Sequence, residues 1–395
     1  MNDDRSVLIS GAGVAGPALA WWLLRHGWSP TMVERAPRLR TQGYVIDFWG
    51  AGYDLAEKMG LLPQIESAGY RIRELRFVDA LGRRVGGFDA EVFRRATLGR
   101  YISLSRTDLS AILFRAVEGR AETIFGDHIV GLAAGPDSVS ASFARGPERQ
   151  FRLVIGADGL HSAVRALAFG PESRYEVPLG YTVAAFECAG YQPREADTYV
   201  AFSAAGRQVA RFTMRDDRTM FLFVIADDAG PAAGQGATAH IEYLRRHFGD
   251  MGWEVPAILA ALERTGDVYF DRVSQIRMDH WSSGRVGLVG DAAYAPSLLA
   301  GQGSALAIIG AYVLAGELSR GGQVPDALAR YEVLLRPFME SKQRGANQFA
   351  KSFAPRTALG VRLRNLVSRA FNVPAVARLA LGRSLLDKIP LPEYP

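Results

Sequence analysis

Apolar runs and helical repeats alternate along the first part of the chain. SVLIS at 6–10 is an unbroken, mainly apolar run with the length of a strand buried on both faces. Glycine-rich residues 11–16 follow, and then PALAWWLLRHG, whose helical pattern ends at Gly27. TMVER at 31–35 reads as a second strand, completing a βαβ unit. The pattern next predicts a helix over 51–60, a strand pair over 73–95 turning at Leu81-Gly82, and a helix over 105–119 capped by Ser105 or Thr107. After FRLVIGADG at 151–159 the character changes. Segments 181–188, 197–203, 208–214 and 219–226 are rich in Val, Phe, Tyr and Thr, with Asp216-Asp217 in a turn, and read as an antiparallel meander. A helix is expected at 238–248. VGLVGDAA at 286–293 returns to the buried-strand style, 303–321 is a long, mostly apolar helix, and 356–386 is an amphipathic, Arg-rich tail.

These elements predict an α/β protein: a Rossmann-like nucleotide-binding domain interrupted by a β-rich, antiparallel substrate domain, with C-terminal helices. The expected nucleotide domain is discontinuous, spanning 1–72, 97–174 and 276–355. The β-rich domain takes 73–96 and 175–275, and the helical tail 356–395.

Composition narrows the function. The formal charge of +5 is spread along the chain with no basic stripe interleaved with aromatics, so nucleic acid is not an expected partner. Cys188 is the only cysteine, which excludes an internal disulfide and a cysteine-based zinc site. The histidines lie too far apart for paired metal ligation, and no metal is expected. Asp3 and Asp4 stand where a leader sequence needs positive charge, and no apolar run has the length of a membrane span. The expectation is a cytoplasmic monomer or homodimer without stable membrane insertion.

The first chemical motif is Gly11-Ala12-Gly13-Val14-Ala15-Gly16, between strand and helix. Gly11 permits a tight turn, Gly13 lets backbone approach a pyrophosphate, and Gly16 lets helix and strand pack closely. The N–H groups of Val14 and Ala15 open the helix, where an anion is favoured. Glu34 ends the second strand 18 positions past Gly16, where a carboxylate accepts hydrogen bonds from ribose hydroxyls, and Arg35 adjoins it. This motif alone does not separate FAD from NAD(P).

Two further segments carry a family resemblance. Gly156-Ala157-Asp158-Gly159-Leu160-His161-Ser162-Ala163-Val164-Arg165 lies mid-chain, and Gly290-Asp291-Ala292-Ala293, continuing to Gly301-Gln302-Gly303, lies late. Taken in order, with Val45-Ile46-Asp47 and Ser105-Arg106-Thr107-Asp108-Leu109, the three motifs resemble the aromatic-hydroxylase family of FAD monooxygenases, which includes para-hydroxybenzoate hydroxylase. The tetracycline-inactivating and antibiotic-tailoring members are most similar. The resemblance spans about residues 5–345 and is thinnest over 175–275.

The resemblance implies FAD as cofactor, NADPH or NADH as reductant and O₂ as co-substrate, with the distal oxygen atom of a flavin C4a-hydroperoxide transferred to an aromatic or polycyclic small molecule. It implies that Asp291 contacts the ribityl and phosphate region, that Arg106 and Asp47 contact the cofactor, and that Gly301, Gln302, Gly303 and Ser304 open a helix toward the flavin pyrimidine edge. For Asp158 two readings stand: FAD and NAD(P)H binding, or shaping of the strand-to-helix turn. His161 is read as filling that turn. Leu298 stands where the family usually has proline, Tyr294 where histidine is common, and Ser304 where asparagine is frequent. These departures keep open an oxidoreductase of the same fold without oxygen insertion, a dehydrogenase or reductase, and a non-catalytic flavin-binding protein is the remaining alternative. The WxWxIP pattern of flavin halogenases is absent. For the substrate pocket the candidates are Arg211, Phe221, Phe223 and Leu298. Strand alternation puts Arg211 on the opposite face from Phe212 and Met214, and either face is a candidate lining.

Overall fold

The structure is a computed structural model that describes residues 5–39, 44–227, 236–373, 376 and 389–394. Part of the expected tail, 377–386, lies outside the described residues. The strand Ser6–Ser10 sits inside a six-stranded sheet, parallel to Leu153–Gly156 on one side and Ser29–Glu34 on the other. With neighbours on both edges and helices on its faces, its apolar residues are buried without alternation. Helix Ala15–Arg25 covers this sheet, and helix Gly303–Ser319 packs against it. The second helix has no polar face because its middle is wholly enclosed. Helix Ala51–Lys58 also packs on Gly303–Ser319, and its close approach depends on a missing side chain: a Cβ on Gly52 would lie 2.7 Å from Ala305 Cα.

A seven-stranded sheet forms the second layer system. Its order runs Tyr269–Ile276, Glu176–Ala189, Arg218–Ile225, Arg207–Thr213, Thr198–Ala204, Glu74–Val78 and Arg84–Asp89. Three of the four strands expected as a meander form one. The first does not adjoin the second: Glu176–Ala189 pairs with Arg218–Ile225, and Thr198–Ala204 instead pairs in parallel with Glu74–Val78. Helices Ala237–Phe248 and Val255–Thr265 cover one face, burying Phe186, Phe221 and Phe223 against Leu244, Phe248 and Ile258.

The segment 73–95 differs from a simple strand pair. Its last part, Glu91–Ala96, is a short helix whose first N–H bonds Asp89 Oδ1 at 2.7 Å. That aspartate ends the strand and satisfies an orphan helical donor. The tail contributes helix Ala358–Ala370, capped by Thr357 and laid on the edge strand Arg84–Asp89.

Candidate functional site

Gly11 adopts φ +105°, and a Cβ on it would lie 2.6 Å from Ala157 O. The glycine turn is therefore pressed against the mid-chain Asp158 segment. A Cβ on Gly16 would stand 1.9 Å from Gly11 O, so strand and helix meet at backbone distance. Helix Ala15–Arg25 begins at Val14 without a side-chain cap, which leaves its first N–H groups for an anion. Glu34 grips the turn: Oε2 accepts from Ala12 N and Oε1 from Ala36 N, both at 2.9 Å. Each oxygen keeps a second lone pair for a hydroxyl donor. Arg35 is exposed beyond it.

Asp158 is held from several sides. Its Oδ1 accepts from Ser162 Oγ at 2.5 Å, and its Oδ2 from Ala163 N at 2.8 Å, Val164 N at 3.2 Å and Ser10 Oγ at 3.3 Å. Those donors fasten strand to helix, the turn-shaping arrangement. Burial raises the carboxyl above its ordinary range, and the Ser162 and backbone bonds oppose this. Arg165, fully buried, donates to Ala292 O at 3.1 Å, Leu160 O at 2.6 Å and Glu172 Oε2 at 2.7 Å. It bolts the mid-chain segment to the late one. His161 bridges outward, with Nδ1 2.9 Å from Glu172 and Nε2 3.4 Å from Asp271. The Asp271 bond lifts its pKa to about 9, burial opposes, and Glu172 adds to the rise.

The late segment closes the ring. A Cβ on Gly290 (φ +68°) would lie 3.1 Å from Ala15 Cβ, so the two glycine turns abut. The Asp291 carboxylate lies against the start of helix Gly303–Ser319, with Oδ1 3.4 Å from where a Gly303 Cβ would stand. Gln302 caps that helix without a side-chain bond, and Ser304 is buried in its first turn. Gly301 is left-handed at φ +65° with open space beside its Cα. Arg106 follows Ser105, whose hydroxyl accepts from Thr107 N, and its Nη2 comes 4.0 Å from where a Gly13 Cβ would stand.

Burial raises the Asp291 carboxyl, Arg106 draws it down, and Asp271 adds to the rise. Burial works against the Arg106 charge, yet Tyr44, Asp291 and Tyr269 hold its pKa above the ordinary value. Gly13 beside Arg106, Asp291 beside Gly303, and Arg106 within electrostatic reach of Asp291 thus bring the three segments to one place, the candidate cofactor hollow. The sequence reading missed Tyr44 and Tyr269, whose rings stand 5.8 Å apart beside this arginine, and Asp271, which accepts from Tyr269 Oη at 3.1 Å. Only spatial proximity identifies them.

Asp47 lies nearby on strand Val45–Trp49. Its Oδ1 accepts from Tyr101 Oη at 2.6 Å and Ser103 Oγ at 2.5 Å, and it shares a cleft with Trp49, Gln302 and Lys342. Burial raises its carboxyl, opposed by the two hydroxyl bonds.

Three of the four substrate candidates point away from the hollow. Arg211 is buried under the helices, paired with Glu195 at 2.6 Å and Glu254 at 2.8 Å. Phe221 and Phe223 are on the same face, stacked with Phe186 at 4.9 and 6.2 Å. Alternation sends Phe212 and Met220 to the other face, where they pack with Met214, Tyr44, Tyr70 and Tyr199. Leu298 is half-buried and packs there also, against Tyr181, Val183 and Val224. Arg364 borders this side, its guanidinium 3.7 Å from the Phe77 ring and donating to Gln208 Oε1 at 2.9 Å. Burial pushes its pKa down to about 10, with Tyr199 opposing. Tyr294, the histidine departure, is a core residue, its hydroxyl 3.2 Å from that of Tyr331.

Nucleotide-cradling turns, a parallel sheet and a second sheet facing the hollow define a flavoprotein of the FAD monooxygenase class. The model of the FAD binding domain family matches residues 4–342, and the chain belongs to that family of flavin-dependent monooxygenases. A flavin-dependent monooxygenase of Legionella longbeachae is 31% identical over 404 residues, covering 100% of this chain and 99% of its own. An uncharacterized Mycobacterium tuberculosis protein is 39% identical over 350 residues, 86% of this chain and 92% of its own. Among solved structures, the tetracycline destructase Tet(55) superposes with a TM-score of 0.86 at 30% identity, covering 100% of both chains. Klebsiella pneumoniae HpxO with FAD and uric acid shares the fold at TM-score 0.79 and 21% identity, over 97% of this chain and 96% of its own.

Proposed function

We propose that this enzyme uses NADPH or NADH to oxygenate an aromatic or polycyclic small molecule in the space between the hollow and the second sheet. The supporting observation is convergence: Gly13 beside Arg106, Asp291 beside Gly303, and both beneath one aromatic layer. Bound FAD supplies the redox chemistry, accepting hydride and activating O₂. The residues fit that group, because the missing side chain at Gly13 and the uncapped helix at Val14 leave room and N–H donors for a pyrophosphate.

In this reading Val14, Ala15 and Gly16 bind phosphate, and Glu34 takes ribose hydroxyls. Arg106 and Asp291 align the ribityl chain, and Gly301, Gln302 and Gly303 direct N–H groups at the pyrimidine edge, where negative charge collects on reduction. Asp47 borders the same ring from the cleft it shares with Gln302. Tyr44, Tyr269, Phe212 and Met220 exclude water from the reacting face. Leu298, Tyr199 and Arg364 border the substrate. The polycyclic class draws support from the full-length likeness to a tetracycline destructase.

A second reading, oxidation or reduction without oxygen insertion, is favoured by Leu298 in place of the usual proline beside the flavin. Turnover under ¹⁸O₂ with a panel of phenols and polycyclic polyketides separates them. Label in the product supports the monooxygenase; substrate-dependent NADPH oxidation with unlabelled product supports the rival.

A further inference from the structure

The helix Ala358–Ala370 has two unlike faces. The inner one is fixed to the second sheet. Ser368 Oγ accepts from Gly87 N at 2.8 Å, Asn372 Oδ1 accepts from Asp89 N at 3.0 Å, and Arg364 Nη2 donates to Ser203 Oγ at 2.8 Å. A Cβ on Gly86 would stand 2.8 Å from Asn365 O, so helix and strand touch backbone to backbone. The outer face is different. Leu359, Leu363, Leu366 and Val367 follow the i, i+4, i+7, i+8 spacing of one helical stripe, and each is between 46% and 75% exposed. Val373 continues the apolar surface at 51% exposed. Scattered exposed leucines are ordinary, but a contiguous stripe on a firmly anchored helix marks a contact surface.

Charge selects the occupant. No acidic residue occurs between Glu340 and Asp387. Arg362 and Arg369, seven positions apart and both exposed, line one border of the stripe, Arg369 with its Nη2 donating to Val85 O at 2.9 Å and its other N–H groups outward. A second copy laid on this face would oppose basic helix to basic helix. An anionic lipid surface satisfies both parts: leucines enter the acyl boundary while guanidinium groups remain among the phosphates. With 13 residues the helix is far too short to span, and among the described residues no helix is long and apolar enough to cross a membrane.

We infer that helix Ala358–Ala370 docks the protein peripherally on anionic phospholipid surfaces through Leu359, Leu363, Leu366 and Val367, with Arg362 and Arg369 among the headgroups. Docking itself does not depend on the oxygenase reading. Because Arg364 of the same helix faces Tyr199, it sets the proposed substrate wall about one helix diameter, roughly 10 Å, from lipid.

The test is co-sedimentation of the FAD-loaded protein with phosphatidylcholine vesicles, with and without phosphatidylglycerol. Wild type is expected to sediment with the anionic vesicles, to be released by salt, and to ignore neutral ones. Leu363→Glu/Leu366→Glu is expected to bind at least about tenfold more weakly with unchanged flavin content. Arg362→Glu, which removes no apolar contact, is expected to weaken binding to the anionic vesicles. Wild type left in the supernatant, or a double variant that sediments like wild type, overturns the inference. So does a double variant that elutes as a smaller species than wild type, which would place a second copy on the stripe. A lower Tm of the double variant also overturns it, because the stripe would then be covered by this chain itself.

Discussion

Gly16→Ala separates two arguments of opposite sign. Gly16 lies inside helix Ala15–Arg25, where alanine normally stabilises by about 1 kcal/mol through helix propensity. The added Cβ, however, would stand 1.9 Å from Gly11 O, 3.1 Å from Gly11 C and 3.4 Å from Ile9 Cγ2. The first atom is backbone at the centre of the glycine turn and cannot rotate away. Relief requires helix and strand to part by more than an ångström, and such overpacking costs about 1–3 kcal/mol. The net effect is a loss of up to about 2 kcal/mol in stability. The larger consequence falls on the cofactor. Moving the turn withdraws at least one N–H from a charged phosphate, a loss of about 1.5–3 kcal/mol, which corresponds to a roughly 10- to 150-fold rise in the FAD Kd. The assay is flavin fluorescence titration of the apoprotein together with thermal melting. An equal or higher Tm with unaltered FAD affinity would refute both the contact and the role of the turn.

Arg211→Met should destabilise by about 3 kcal/mol, because Glu195 and Glu254 lose their shared partner, while KM for any substrate stays within about twofold in the folded fraction; urea melts and steady-state kinetics test this, and a selective KM change would return Arg211 to the substrate side. Phe212→Ala should instead alter substrate binding more than Phe221→Ala does, read as the ratio of their KM values, since only Phe212 packs with Tyr70 and Met220 on the side of the hollow. His161 carries a pH signature. Its folded pKa of about 9 exceeds the ordinary 6.5, so its stabilisation is complete below about pH 6.5 and fades as pH rises through 9. Over pH 6.5–10 the Tm of wild type should therefore fall further than that of His161→Gln, and parallel curves would contradict the Asp271 and Glu172 contacts.

Much of this was legible before any coordinates. A buried parallel strand, a glycine turn and a helix leave an unmistakable order, and the three glycine–acid segments meet as expected because each ends a strand of one sheet. Other features depend on what no local pattern encodes. Alternation assigned Arg211 and Phe212 to opposite faces, but which face meets the hollow depends on where helices Ala237–Phe248 and Val255–Thr265 pack. The strand Thr198–Ala204 pairs with Glu74–Val78 across more than a hundred residues, so the sheet order could not be read from neighbours. For Asp158 the motif did not reveal the donors, and all four are local to the turn or to Ser10. Arg165 carried no signal beyond its place in a motif, although burial makes it the joint between two segments. Tyr44 and Tyr269 lie far apart in the chain and belong to no motif.

The central claim is that Gly13, Arg106, Asp291 and Gly303 hold one FAD. The most direct measurement is the stoichiometry and Kd of non-covalent FAD for wild type and Asp291→Ala, by absorbance and equilibrium titration. Wild type is expected to be yellow with about one FAD per chain, and Asp291→Ala to bind at least about tenfold more weakly, the loss of a charge-assisted contact. A colourless wild type that takes up no flavin, or an Asp291→Ala protein that retains FAD like wild type, would contradict it.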